Sequence, residues 1–264
     1  MYEAAAPAAE VSAQTVLWSQ FVLARALTRV LARARLRGGD AEGADISFCY
    51  ADTHGGCGRL PRPAPFLEAL WQRRAGFSSQ EYFAALEAAD QADHPGSWVL
   101  AGRILRAVGG DGAAIELDVN DIDPGQVEQA RSNREGGWVR LWTHDWFLFL
   151  RSRLAMAAPL DFVFIDPPGD DPRGPAYAID AAILLETRKV PYMVTYCLAA
   201  SQDSIDQIGR SGLELVLPDG GCGAVLGGGA EVALLDLLPD LRQLAGLLGG
   251  RFAVRLPRND DYSI

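Results

Sequence analysis

The chain switches between two hydrophobic periods. Over residues 12–37, Val16, Leu17, Leu23, Leu27, Val30 and Leu31 recur at helical spacing, and Gly38-Gly39 supplies a stop, so the pattern predicts one long helix. Residues 46–51 are short, apolar and aromatic, bounded by Gly43 and a glycine-rich turn, and read as a buried strand. A proline-punctuated helical region follows His54–Gly58. Within it Ser78-Ser79-Gln80-Glu81 predicts a capping box for a helix running to about Asp90. From there strand and helix patterns alternate. Strands are predicted at 114–119, 138–142, 160–165, 192–197 and 213–217, with helices at 125–133, 146–156, 176–188 and 203–210. Strands at 231–237 and 251–256 around a helix at 238–248 complete the chain. Such alternation predicts an α/β fold: a mostly parallel sheet covered on both faces. Residues 1–39 read as an N-terminal helical extension and 40–264 as the main domain, with a helical insertion at about 61–94.

Composition narrows this picture. With 264 residues, 49 % hydrophobic and 22 % charged, the chain can bury a large core, and disorder is excluded as its main state. Arg25 and Arg29 interrupt the apolar run at 16–30, so no membrane span is expected. Residues 1–10 hold no cationic segment of the kind that opens a secretory signal. Cys49, Cys57, Cys197 and Cys222 are far apart and form no Cys-x-x-Cys pair, which fits a reducing cytoplasm. With three scattered histidines as well, no metal site is expected. The net charge of −10 argues against strong non-specific binding to nucleic acid. The predicted first helix runs against that trend, since Arg25, Arg29, Arg33 and Arg37 lie four apart and share one face. That stripe is either a phosphate-contacting surface or a solvated face.

In open α/β sheets ligands sit outside the carboxyl ends of the strands, so the polar residues there carry the chemistry. The first strand ends in Asp52-Thr53-His54-Gly55-Gly56-Cys57-Gly58, where glycines allow a tight turn and close approach to a ligand. The spacing matches neither the dinucleotide fingerprint nor the Walker loop. The second ends in Asp118-Val119-Asn120-Asp121, and a carboxylate there can accept both hydroxyls of a ribose. Thr143-His144-Asp145 ends the third and Phe164-Ile165-Asp166-Pro167-Pro168-Gly169 follows the fourth. Each aspartate alone could be a helix cap. Four such ends in order fit a nucleoside-type cofactor better than four unrelated caps.

These segments, with Pro95-Gly96-Ser97 and Asp145-Trp146-Phe147 between them, resemble the S-adenosylmethionine-dependent methyltransferases that methylate adenine N6 in bacterial 23S ribosomal RNA. That family carries Asp-Thr-His-Ala-Gly-x-Gly, Pro-Gly-Ser, a Glu before His-Pro, Ala-Asp-Gly-Phe and Asp-Pro-Pro-Tyr. The resemblance covers residue 46 to the C-terminus. It implies a Rossmann-like class I methyltransferase fold with a seven-stranded sheet, and S-adenosylmethionine as cofactor. It further implies that His54, Gly55, Gly56, Gly58 and Ser97 surround the methionine part, that Asp121 takes the ribose and Asp145 the adenine. Asp166 and the backbone of Pro167 and Pro168 would hold the target amino group. An exocyclic amine gives its lone pair to the ring. A carboxylate and a carbonyl holding its hydrogens return that pair to nitrogen and align it.

Two departures concern the substrate side. Gly169 stands where the family has the aromatic residue on which the target base stacks, an interaction contributing roughly 1–3 kcal/mol. Residues 1–20 hold neither lysine nor histidine, where the family has a Lys-His pair. Tyr177 and Trp146 are the candidate substitutes for the missing ring. Two functions follow: a methyltransferase acting on RNA or DNA, or a degenerate methyltransferase domain serving as a binding or assembly subunit for a protein partner. A methylase of a small molecule or protein is a third.

Overall fold

Eight strands form one sheet, and its two halves obey different rules. Strands β1 (Ser47–Asp52), β4 (Ala114–Asn120), β5 (Val139–Trp142), β6 (Phe162–Ile165) and β7 (Tyr192–Cys197) pair in parallel, in the order β7-β6-β1-β4-β5. Past β7 the sheet continues through β9 (Gly220–Gly227), β8 (Gly212–Leu217) and β10 (Arg251–Arg255), each antiparallel to its neighbour. This computed structural model describes residues 13–37, 46–87, 93–110, 112–169, 171, 173–198 and 206–257. The Gly38-Gly39 stop, the opening ten residues, the reach of a helix to Asp90 and the start of the 203–210 helix lie outside the described residues.

The parallel alternation is as predicted, but the sheet is eight-stranded with an antiparallel end, not seven-stranded. The added strand, β9, was hidden by Gly220, Gly221, Gly223 and Gly227, residues disfavoured in strands. The fold explains two of them. A Cβ on Gly223 would lie 2.1 Å from the Tyr196 ring, and one on Gly227 2.3 Å from the Tyr192 ring, so the glycines make room for the tyrosines of β7. The strand predicted at 231–237 is instead a 3-10 turn, Ala230–Ala233, leading into the last helix, α8 (Leu234–Leu247). Leu237, Leu241, Leu244 and Leu248 are all buried, so the helical period prevails over the shorter alternation. Of the helix predicted at 203–210, the described part is the 3-10 turn Asp206–Ile208.

Helix α1 (Ala13–Arg37) belongs to the core. Leu17, Trp18, Phe21, Leu27 and Leu31 are fully buried, each contributing on the order of 2 kcal/mol, against α4 (Ser97–Gly109), α8 and the sheet. Helices α6 (Trp146–Ala155) and α7 (Gly174–Arg188) cover the opposite face. The ladder of β2 (Arg59–Leu60) with β3 (His94–Pro95) brackets the segment that carries α2 (Ala64–Gln72) and α3 (Gln80–Glu87). The predicted capping box is replaced by a longer-range contact. Asp240 of α8 accepts the N–H and hydroxyl of both Ser78 and Ser79 at 2.8–3.1 Å, a carboxylate set at a helix start. No helix among the described residues is long and apolar enough to cross a membrane.

Candidate functional site

The carboxyl ends of β1, β4, β5 and β6 meet at one edge, tied by backbone and by Asn120. The Asn120 amide donates to the carbonyls of Thr53 and His144, both at 3.1 Å, and its carbonyl oxygen accepts from His144 N–H. Gly55 N–H donates to Asn120 O at 2.8 Å, and Thr53 donates to Phe164 O. One buried asparagine therefore fixes three strand-end loops relative to each other. Its position inside a run of acidic residues gave the sequence reading no reason to single it out.

Asp52 closes β1 and is fully buried. Its partners are neutral donors: the hydroxyls of Ser97 (2.6 Å) and Tyr50 (3.0 Å) and the N–H of His54 (3.1 Å). Burial pushes its pKa up to about 7 against the pull of those hydrogen bonds, and the nearby charge of Asp166 adds to the rise. Asp166, just past β6, opens to solvent at the cleft, yet desolvation raises its pKa too, opposed by a short hydrogen bond from the Thr195 hydroxyl. Among the described residues neither carboxyl forms an ion pair. Thr195, on β7, has no place in the sequence motifs; only the strand order puts it beside β6.

The remaining predicted cofactor residues gather at the same edge, with uneven freedom. Asp121 accepts from Gly56 N–H at 2.9 Å and from Asp123 N–H, so it already braces the glycine turn. Asp145 caps α6 through Phe147 N–H and Leu148 N–H, using one oxygen. A Cβ on Gly55 would lie 2.3 Å from Val119, and one on Gly58 2.2 Å from the Trp98 ring. These two glycines are required by packing from the protein side. Gly56 differs: its φ of 55° is in the left-handed region, and a Cβ there would meet only Gln126 Oε1, at 3.8 Å. His54 is held neutral, since burial lowers its pKa to about 4; its Nδ1 is 2.7 Å from the Thr53 hydroxyl, and its buried Nε2 has no protein partner.

At Asp166-Pro167-Pro168-Gly169, a Cβ on Gly169 would lie 3.0 Å from Cys197 Sγ, so the space a ring would need borders β7. The two candidate substitutes sit across the loop. Trp146 packs on His54 (5.2 Å between centroids) and on Tyr177 (6.1 Å). Tyr177 stacks on Phe147 at 5.2 Å and carries the Arg173 guanidinium over its ring.

The arginine stripe is divided: Arg25 is buried, while Arg29, Arg33 and Arg37 are exposed. Arg25 donates to Ser78 and Ser79 and pairs with Glu81 at 3.4 Å; Arg29 pairs with Asp236. Only Arg33 and Arg37 are left free of such partners among the described residues. The helix is a core helix, so packing consumes the amino-terminal part of the stripe, and its carboxyl-terminal part stays exposed. Among the described residues no group of side chains has the makeup of a metal site.

No family model matches the chain, and no curated protein matches it. Protein LPL1258 from Legionella pneumophila str. Philadelphia 1, described under the family model DUF519, is similar over 94 % of this chain and 99 % of its own, at 17 % identity and a TM-score of 0.69. Fainter likenesses, with TM-scores of 0.38, are to an rRNA methylase from Streptococcus thermophilus (10 % identity, 83 % of this chain, 97 % of that one) and to the plantazolicin methyltransferase BamL (9 % identity, 93 % and 85 %). The first of these likenesses shows a shared fold.

Proposed function

We propose that the chain binds S-adenosylmethionine across the carboxyl ends of β1, β4 and β5 and is a methyltransferase of an exocyclic amine, with adenine N6 in RNA as the acceptor its sequence resemblance names. The observation that carries this reading is Asp52: a fully buried carboxyl with neutral partners only, beside a second raised carboxyl. Burying a carboxylate without a countercharge is costly. A ligand bringing an ammonium and a sulfonium supplies that charge, and this cofactor carries both.

In this reading the turn at His54, Gly55, Gly56 and Gly58 together with Ser97 lines the methionine end. Asp121 and Asp145 keep unused acceptor lone pairs for ribose and adenine, because a carboxylate accepts about four hydrogen bonds. The cofactor supplies a methyl group activated by a sulfonium. Asp166 accepts a hydrogen from the target amine, and the carbonyls of Pro167 and Pro168 orient it. Thr195 holds the Asp166 carboxyl in place. Gly169 favours a second reading, a binding subunit without turnover, since no ring follows Asp-Pro-Pro.

Calorimetric titration with S-adenosylmethionine tests the proposal. Binding is expected for the natural chain and is expected to weaken by about 10- to 100-fold in Asp52→Asn with folding intact. No heat and no thermal shift at millimolar cofactor would overturn it.

A further inference from the structure

The opposite edge of the sheet holds a second pocket, which the reading above does not use. A cavity of about 370 Å³ opens where the last turns of α1 and α7 meet the amino ends of β1, β6 and β7. Its apolar wall is Val30, Ala34, Phe48, Leu160 and Pro191. Arg33, Arg37 and Lys189 also line it.

The charges here are asymmetric in their satisfaction. Each lining carboxylate is engaged from within the protein. Glu186 accepts from Tyr192 OH (3.1 Å), Arg210 (2.8 Å) and Gly228 N–H (3.3 Å). Glu231 accepts from Gly229 N–H at 2.8 Å, and Asp161 from Cys49 N–H at 2.8 Å. The side chains of the three lining cations have no hydrogen-bond or ion-pair partner among the described residues. What the pocket lacks is an anion.

Lys189 adds an independent observation. It is the sole lysine of the chain, and it caps α7 in the left-handed conformation, with φ 55°. Among the described residues it is the one non-glycine residue with positive φ. Helices that end this way usually carry glycine or asparagine there, and strained backbone of this kind concentrates at ligand sites. Basic groups also complement the carbonyl end of a helix, which accounts for a cation near α7 but not for a lysine in place of the glycine that the backbone favours.

We propose that this pocket binds a phosphate-bearing small molecule of nucleotide size. Arg33, Arg37 and Lys189 would hold the phosphate, and the apolar wall would take the body of the ligand. The proposal is independent of the cofactor reading. It is tested by calorimetry with inorganic pyrophosphate and with UMP, on the natural chain, on Arg33→Gln/Arg37→Gln and on Lys189→Gly. Both probes are expected to bind the natural chain, and each variant to weaken them by roughly tenfold or more. Lys189→Gly carries a second readout: relieving the left-handed lysine should raise the unliganded Tm by about 2 °C while binding falls, which a purely structural lysine would not show. Absence of binding at millimolar probe, or equal binding by Lys189→Gly, overturns the proposal. So does a single-stranded oligoribonucleotide that binds through these arginines while pyrophosphate and UMP do not.

Discussion

Two buried aspartates on neighbouring strands, Asp52 of β1 and Asp118 of β4, have opposite surroundings. Both are 0 % exposed, and Asp118 lies in register with Ala51. Asp118 is ringed by donors, two of them cationic: Arg153 Nε at 2.6 Å, Arg140 Nε and Nη2 at 2.8 and 2.9 Å, and Trp142 Nε1 at 2.9 Å. Burial alone would raise its pKa, but the hydrogen bonds from Arg140 and Trp142 and the Arg153 charge outweigh burial, and the net shift is downward. Asp52 sits among hydroxyls and an amide, and burial wins. A carboxylate folded with its countercharge belongs to the scaffold. One folded without it leaves a cost that a cationic ligand can offset.

The largest effect that can break this comparison is on the scaffold side. Asp118→Ala would leave Arg153, itself fully buried, without its carboxylate, a loss of about 3–5 kcal/mol measured by urea denaturation. Replacing the pair together, as Asp118→Leu/Arg153→Met, should cost much less. A single variant within about 1 kcal/mol of the natural chain would show that the two aspartates do not differ as argued.

Asp52→Asn is expected to behave in reverse. Stability at pH 8 should hold or rise, because an ionised buried carboxyl is removed, while S-adenosylmethionine affinity falls by about 10- to 100-fold, the scale of a lost hydrogen bond to a charged group. Calorimetry beside thermal unfolding separates the two. Loss of stability without loss of affinity would return Asp52 to the scaffold.

The pH dependence sharpens the contrast. The folded pKa of Asp118 is depressed, so its stabilisation is present above the unfolded value of about 4 and is lost as pH falls through the folded value. The folded pKa of Asp52 is raised to about 7, so its contribution is full below about pH 4 and is lost as pH rises through about 7. His54 and His94, both lowered to about 4 by burial, act the other way over much of that range, since the unfolded chain takes up protons there first. The informative quantity is therefore the difference between the natural chain and Asp52→Asn. That difference should grow from pH 5 to pH 8, and cofactor affinity of the natural chain should rise over the same interval. Parallel curves for the two proteins would contradict the assignment.

This asymmetry was only half legible in the sequence. The strand ends carrying Asp52, Asp121, Asp145 and Asp166 could be read because parallel strands in an α/β chain are short, apolar and followed by polar turns. What each aspartate does could not be read, because it depends on the neighbouring strands. Asp118 stands three residues from Asp121 and looks no different in sequence, yet Arg140 and Arg153 reach it from β5 and α6. The arginine stripe was half legible for the same reason: helical spacing shows that four arginines share a face, not that Glu81 and Asp236 are folded onto two of them. Glycines were the hardest residues to read. Those of β9 hid a strand, and the packing of Gly55 against Val119 and of Gly58 against Trp98, which requires them to be glycine, could not be read from the turn.

The smallest expected effect lies in the partner of Asp166. Thr195 donates its hydroxyl to that carboxyl and is the hydrogen bond that opposes the desolvation of the acid. Thr195→Val keeps the shape and removes the donor, so the Asp166 pKa should move further up, and stability should change by about 1 kcal/mol at most. If Asp166 must be ionised to hold an amine, the acid limb of a methyl-transfer pH profile moves to higher pH in this variant, with the rate at high pH nearly restored. A uniform loss of rate across pH would instead mark Thr195 as a packing residue. An unchanged profile would mean that Asp166 does not act as an ionised carboxyl, and that its raised pKa, unlike that of Asp52, serves no ligand.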